Sequence, residues 1–452
     1  MRQNNIIKNM NAASAQLREN APLTIRGRIA AITGLTASVE GLTGQVFVGD
    51  RILLRGRDGR AVPAEIVGFL GGLAQALPFA ALEGLGPGQG AEVMPRSAAL
   101  LSVSDGWLGR VIDPLGRAID GRGPPRAGIV PRSPRGAPPD ATRRARLGPR
   151  VTLGVRALDL FTTCRVGQRL GLFAGSGVGK STLLAMLARA AVCDVAVIAL
   201  VGERGREVRE FLEDDLGTAG LARSVVVVAT SDAPPVMRRQ AAYTAMTVAE
   251  HFRDEGKSVL LMMDSVTRFC LAAREIGLAA GEPPSTRGYP PGVFAELPRL
   301  LERAGPGEER EDGTAGAITA LFTVLVEGDD QNEPVADAVR GILDGHVILD
   351  RRIAEGGRYP PVDVLRSLSR AAAGCLNAAE TGLIRRARGI LALQAEMADL
   401  VRMGAYRAGS DPAVDEALAL GPRIEAVLRQ DRTAQTDLDA AFAMLRAAME
   451  AA

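Results

Sequence analysis

The chain has 452 residues, enough for about three domains with a sizeable core, and its 54 Lys plus Arg against 52 Asp plus Glu leave a net charge of +2, which excludes a whole-chain binder of nucleic acid or membrane by bulk electrostatics. The residues are 47% hydrophobic, yet the longest apolar runs, such as Asp194 to Gly202 and Ala317 to Val326, fall short of the ~20 residues that cross a bilayer. Four scattered cysteines with no C-x-x-C pair, and only His251 and His346, argue against a disulfide framework, a zinc site or Ser-His chemistry.

In chain order, residues 1–22 carry a helical stripe of Ile6, Met10, Ala13 and Leu17, either a frayed, flexible terminus or an amphipathic partner-binding segment. The stretch lacks the long apolar run of a signal peptide, and with the reduced thiols this predicts a cytoplasmic protein. Residues 23–97 read as short strands with turns: Ile25 to Ile32, Gln45 to Val48, and Arg51 to Arg55 joined through Asp58-Gly59 to a strand from Ala61 to Phe69. That is a small β-barrel. Its aromatic content, Phe47, Phe69 and Phe79, is too thin for an oligonucleotide-binding face, so a structural collar is expected.

Residues 98–150 are rich in Pro, Gly and Arg, which predicts an extended linker with solvated arginines and Trp107 as its anchor to the core. From 151 to 372, apolar runs (Arg169 to Ala174, Val195 to Val201, Ser224 to Ala229, Ser258 to Met263, Ala317 to Val326) alternate with helical segments. This is the pattern of an α/β fold with a mostly parallel sheet. Residues 373–452 form a C-terminal helical domain, with Asp411-Pro412 starting a helix that carries Leu418, Ile424 and Leu428.

The most specific local signal is GLFAGSGVGKST at 171–182, a strand entering a Gly-rich loop and then a helix. In such a P-loop, backbone N–H groups converge on phosphate oxygens and the helix presents its positive end. Gly175, Ser176, Gly177, Val178, Gly179, Lys180, Ser181 and Thr182 would hold nucleotide phosphates, with Lys180 as a point charge and the Ser181 hydroxyl on Mg²⁺. Ala174 replaces the first motif glycine, where a small residue suffices. The spacing is not that of a dinucleotide fingerprint, in which a lysine would have no role. Asp264 follows an apolar strand and suits Mg²⁺ held through water, and Glu203, directly after another, could orient a water for hydrolysis.

Together with GERGREV at 202–208, LLMMDSVTRF at 260–269, GYPPGVFAELPRLLERAG at 288–305, EGDDQNEPVADAVRGILDGHVILDR at 327–351, YPPVDVLRSLSR at 359–370 and GAYRAGSDPAVDEAL at 404–418, these residues give a chain that resembles the flagellum-specific (type III secretion) export ATPases. Those are relatives of the rotary ATPase catalytic subunits. The resemblance implies a P-loop NTPase core, ATP and Mg²⁺, and Glu203 as the residue that polarises the attacking water. It places Arg204 and Arg268 near the γ-phosphate and Tyr359 against adenine. It also implies that Arg370 enters the neighbouring subunit's site, where a guanidinium stabilises the transferring phosphoryl group.

The same resemblance implies a homohexameric ring, a central stalk protein, a cytosolic regulator or stator protein at the N-terminus, an export gate with exported substrates or chaperones, contact with acidic lipid, and peripheral association with the inner membrane. No nucleic-acid partner is expected. A virulence injectisome ATPase is the nearest alternative. A ring-shaped RNA helicase is disfavoured by the thin aromatic content of the barrel, and a regulatory subunit without turnover is disfavoured by Glu203, where non-catalytic sister subunits carry an amide. Among the remaining features, Cys193, Cys270 and Met262-Met263 read as core, and Asp329 and Asp330 as an acidic turn.

Overall fold

The computed structural model describes residues 24–311, 313–326 and 333–450. The N-terminal stripe and the Asp329-Asp330 turn lie outside the described residues. The chain divides into two compact units, 1–99 and 100–452.

In the first unit, β1 (Arg26–Thr33), β2 (Thr36–Glu40), β3 (Arg51–Arg55), β4 (Ala61–Leu70), β5 (Leu73–Pro78) and β6 (Gly90–Val93) close into an antiparallel barrel in the order β1-β2-β5-β4-β3-β6. Alternation puts Ile52, Leu54, Val62, Ala64 and Ile66 inside, and closure leaves no strand edge unpaired. The segment Gln45 to Val48 is not a strand. Val46 plugs the barrel while Phe47 and Val48 stay exposed, because the Asp50 carboxylate accepts the Phe47 N–H at 2.8 Å and bends the chain into a turn.

The second unit is built on one sheet. Its first strand, β7 (Arg110–Ile112), comes from the stretch expected to be an extended linker. After a small antiparallel ribbon of β8 (Arg150–Val151) and β9 (Cys164–Arg165) come β10 (Arg169–Ala174), β11 (Val195–Glu203), β12 (Ser224–Thr230), β13 (Ser258–Asp264), β14 (Gly305–Pro306), β15 (Ala317–Leu325), β16 (Gly345–Leu349) and β17 (Leu368–Ser369). The order is β17-β16-β10-β15-β13-β11-β12-β7, with β14 alongside β15. All the pairings are parallel except those of β14 and β17. Helices cover both faces, so the strands read as continuous apolar runs; every residue of Val195–Glu203 is buried.

The Pro- and Arg-rich stretch packs rather than spans. Trp107 is buried and its indole N–H donates to the Arg126 carbonyl at 3.1 Å. Arg110, also buried, grips Asp120 through two bonds of 2.7 and 2.9 Å and holds that carboxyl well below the usual carboxylate range. Proline and glycine leave carbonyls without ladder partners, and core side chains donate to them: Thr244 to Pro114 at 2.5 Å and Arg303 to Pro134 at 2.5 Å.

The C-terminal helices Ala378–Arg402, Pro412–Leu428 and Leu438–Glu450 share a core with the sheet's helices, through Ile384, Leu420, Ile424 and Leu445. A reciprocal capping box between Asn377 and Glu380 starts the first of them. Asp411 caps the second, with Pro412 at its first position.

Candidate active site

Because β10, β11 and β13 run parallel, their carboxyl ends meet on one edge of the sheet, where ligands of such folds bind. The chain leaves β10 through Gly175 to Gly179 and enters the helix Lys180–Ala190. Gly177 and Gly179 sit at φ of 76° and 97°, a region closed to most side chains. No side chain caps the start of the helix, so its first N–H groups remain free for an anion.

A cleft of about 940 Å³ opens here. Gly175, Ser176, Gly177, Gly179, Lys180, Ser181 and Thr182 line it from the loop and the first turn of the helix, with Glu203 and Arg204 from the end of β11 and Arg268 from the helix Val266–Ala279. Val178 points the other way into the core, so only its backbone is available to a ligand.

Lys180 stands between two carboxylates, its Nζ 2.5 Å from Asp264 Oδ1 and 3.3 Å from Glu203 Oε1. Asp264 is nearly inaccessible, 2% exposed, and also accepts the Thr323 hydroxyl at 2.7 Å. Glu203 reaches the cleft through a local irregularity. The β11–β12 register slips between Val201 and Glu203, and Gly202 takes φ 72°. A side chain at Gly202 would press Arg268, whose guanidinium donates to the Gly202 carbonyl and lies 3.6 Å from Glu203. Arg204 projects into solvent at the rim, 3.4 Å from Glu207.

Tyr359 and Arg370 do not line this cleft. Tyr359, half exposed, lies beside the P-loop, where a Cβ on Gly179 would sit 3.7 Å from its ring. Arg370 is exposed just beyond β17 and donates its backbone N–H to the Asp344 carbonyl at 3.0 Å.

Ser181 and Asp264 offer hard oxygen donors beside Lys180. Among the described residues no cluster of three or more His, Cys, Asp or Glu side chains could hold a metal ion. One or two protein oxygens are what Mg²⁺ ordinarily takes, since it keeps most of its waters and arrives with phosphates.

The structure adds residues that sequence reasoning passed over. Arg238 lines the cleft, fixed by the Ala233 carbonyl at 3.1 Å and Glu275 at 2.7 Å. Arg351 lines it as well and donates to the Ser176 carbonyl at 2.9 Å. Arg351 was visible as the end of a quoted motif, whereas Arg238 had no local signal.

Residues 154–369 match the ATP synthase alpha/beta family nucleotide-binding domain, and 376–447 match the T3SS EscN ATPase C-terminal domain. A "Flagellum-specific ATP synthase" of Caulobacter vibrioides is 53% identical over 96% of this chain and 98% of its own length. The chain belongs to the flagellum-specific and type III secretion ATPase family. A second flagellum-specific relative, from Bacillus subtilis, is 46% identical over 93% of this chain and 94% of its own. A "Type 3 secretion system ATPase" of Xanthomonas euvesicatoria is 49% identical over 91% of each. Among solved structures, the assembled ATPase EscN of the enteropathogenic E. coli type III secretion system superposes with a TM-score of 0.87 at 39% identity, covering 94% of this chain and all of that one. As a member of this family, the chain is an ATP-hydrolysing enzyme with a P-loop core, an N-terminal barrel and C-terminal helices.

Proposed function

We propose that this ATPase works as a homohexameric ring that couples Mg-ATP hydrolysis to export of flagellar proteins. The observation that carries the chemistry is the triad of Lys180, at the start of an uncapped helix, with Asp264 and Glu203, at the ends of the adjacent parallel strands β13 and β11. The P-loop backbone from Gly175 to Thr182 binds the phosphates, and Lys180 leaves its carboxylates to meet the incoming negative charge. Ser181 directly, and Asp264 through water, would hold Mg²⁺, which would supply neutralisation of the phosphates' negative charge. Glu203, freed from Lys180, orders and polarises the attacking water. Arg204 and Arg268 face the γ-phosphate. Tyr359 packs on adenine, and Arg370 completes a neighbour's site.

Support for the ring and for a central stalk comes from the relative EscN, solved as an assembled ATPase and in complex with its central stalk EscO at 38% identity and a TM-score of 0.83. A regulator at the N-terminus, an export gate with its substrates or chaperones, acidic lipid, and a cytoplasmic location at the inner membrane complete the proposal. Among the described residues no helix is long and apolar enough to cross a membrane. Export by a virulence injectisome remains the second reading, favoured by the Xanthomonas relative. Restored motility, rather than restored effector secretion, in deletion strains would decide between them.

The test of the chemistry is Glu203→Gln. The amide keeps the shape of the carboxylate but loses its basicity and charge, so ATP should still bind while turnover falls by about 10²-fold or more. Turnover near the wild-type rate would overturn the assignment.

A further inference from the structure

We infer that the C-terminal helices set the enzyme's affinity for ATP through a clamp on the Tyr359 loop, with Gln430, Arg358 and Glu425 as its positioning residues. The inference rests on the reading of Tyr359 as the residue that packs on the base.

The loop is held from two sides. Downstream, it is tied to the sheet by the Leu349↔Val362 bridge and by the Asp350 N–H donating to the Pro361 carbonyl at 2.9 Å. The part that carries Tyr359 turns towards the C-terminal helices. The Gln430 backbone N–H donates to the Tyr359 carbonyl at 2.8 Å. Gln430 is itself 3% exposed and fixed at three points. Its amide nitrogen donates to the carbonyls of Gly154 at 2.8 Å and Ala434 at 2.9 Å, and its amide oxygen accepts the Arg156 N–H at 2.9 Å.

Next to Tyr359, Arg358 is buried. It donates to the carbonyls of Pro360 at 3.1 Å and Val362 at 2.9 Å, and its Nε lies 2.7 Å from Glu425 on the helix Pro412–Leu428. One guanidinium thus ties the carbonyls of Pro360 and Val362 to a C-terminal helix. Arg358 is buried while the Glu425 side chain is 40% exposed, so the two carbonyls fix the guanidinium and the carboxylate meets it from the solvent side.

None of these three side chains lines the phosphate cleft. They act on the cleft through the loop alone. Tyr359 and Pro361 stand beside Gly179, within 3.7 and 3.9 Å of where a Cβ would be. Loosening the clamp lets the Tyr359 ring drift from the P-loop while Lys180, Asp264 and Glu203 keep their places. The effect should therefore fall on binding and spare the chemical step.

The test is a cycle in the full-length enzyme, measuring KM and kcat for Mg-ATP. Gln430→Ala removes the anchors that hold its own backbone, and should raise KM about tenfold, or ~1.4 kcal/mol, with kcat within about twofold. The paired change Arg358→Met with Glu425→Gln should do the same without leaving a buried unpaired charge, and it guards against a fold defect in the first variant. Tyr359→Ala should raise KM at least as much, and adding Gln430→Ala to it should then raise KM no further. Additive effects, a fall in kcat at unchanged KM, or an unchanged KM in both clamp variants beside a raised one in Tyr359→Ala would overturn the clamp and leave the base-packing role standing. An unchanged KM in Tyr359→Ala would overturn the base-packing role itself, and the clamp with it.

Discussion

At the scale of a single residue, Asp159 carries a pH signature of its own. It is 1% exposed, sits within the helix Arg156–Phe161, and reaches back to accept the backbone N–H groups of Leu153 at 2.8 Å and Gly154 at 2.9 Å. Burial outweighs those bonds and pushes its carboxyl up to about 7. Between about pH 4 and pH 7 the folded chain therefore keeps a proton that the unfolded chain has released, so this group's contribution to stability falls as pH rises through that window. Asp159→Asn abolishes the titration. The melting temperature of the wild type relative to this variant should decline from pH 4 to 7 and then level off; a difference that stays flat would sink the assignment. Nothing in Ala157-Leu158-Asp159-Leu160 distinguishes this carboxylate from a solvated one, since its burial depends on residues far along the chain.

Among the elements, the helix Pro235–Asp254 shows how the Pro- and Arg-rich stretch is held. Arg303, 1% exposed, forms a two-pronged pair with Glu250 at 2.8 and 2.6 Å, donates to the Thr247 hydroxyl at 3.1 Å and reaches the Pro134 carbonyl. Removing one partner strands a buried charge, so Glu250→Ala should cost about 3–5 kcal/mol of stability. The exposed pair Arg132–Asp254, 2.6 Å long and joining the same stretch to the same helix, should cost under about 1 kcal/mol in Arg132→Ala. Urea unfolding midpoints would compare the two; equal losses would show that Arg303 is not what fastens the stretch. Arginine runs read as solvated charge when only side-chain polarity is counted. Here Arg117, Arg122, Arg126, Arg143 and Arg146 do stay exposed, while Arg110 of the stretch and Arg303 from outside it are drawn in by the Gly123 and Pro134 carbonyls.

At the scale of the whole molecule, the role proposed for Arg370 in a neighbour's site predicts complementation between variants. It is exposed beyond the edge strand β17 and lines no part of its own cleft. A Lys180→Ala subunit has a dead pocket and an intact Arg370, and an Arg370→Ala subunit the reverse. Each alone should be nearly inactive. Mixed, they should recover part of the ATPase rate, with a concentration dependence that follows assembly. Native mass spectrometry would confirm that both enter one oligomer. Co-assembly with no recovered rate at any ratio would make Arg370 a structural residue of its own subunit.

Patterns within a few residues were enough to mark out the barrel, the parallel α/β core, the helical C-terminus and the P-loop. Apolar period, turn residues and the spacing of glycines around Lys180 are local properties of the chain. Glu203 and Asp264 could be placed at strand ends for the same reason, since each closes an apolar run. Only the tertiary structure decided which groups meet there. Lys180 reaches both carboxylates because β10, β11 and β13 run parallel in one sheet, and the strand order that makes this so is set by long-range packing. Arg238 enters the cleft, β7 joins the sheet from a Pro-rich stretch, and Gln430 closes on Tyr359 from some seventy residues away, all for one physical reason. Hydrogen bonds and burial between distant segments depend on the folded geometry, and no local composition encodes them.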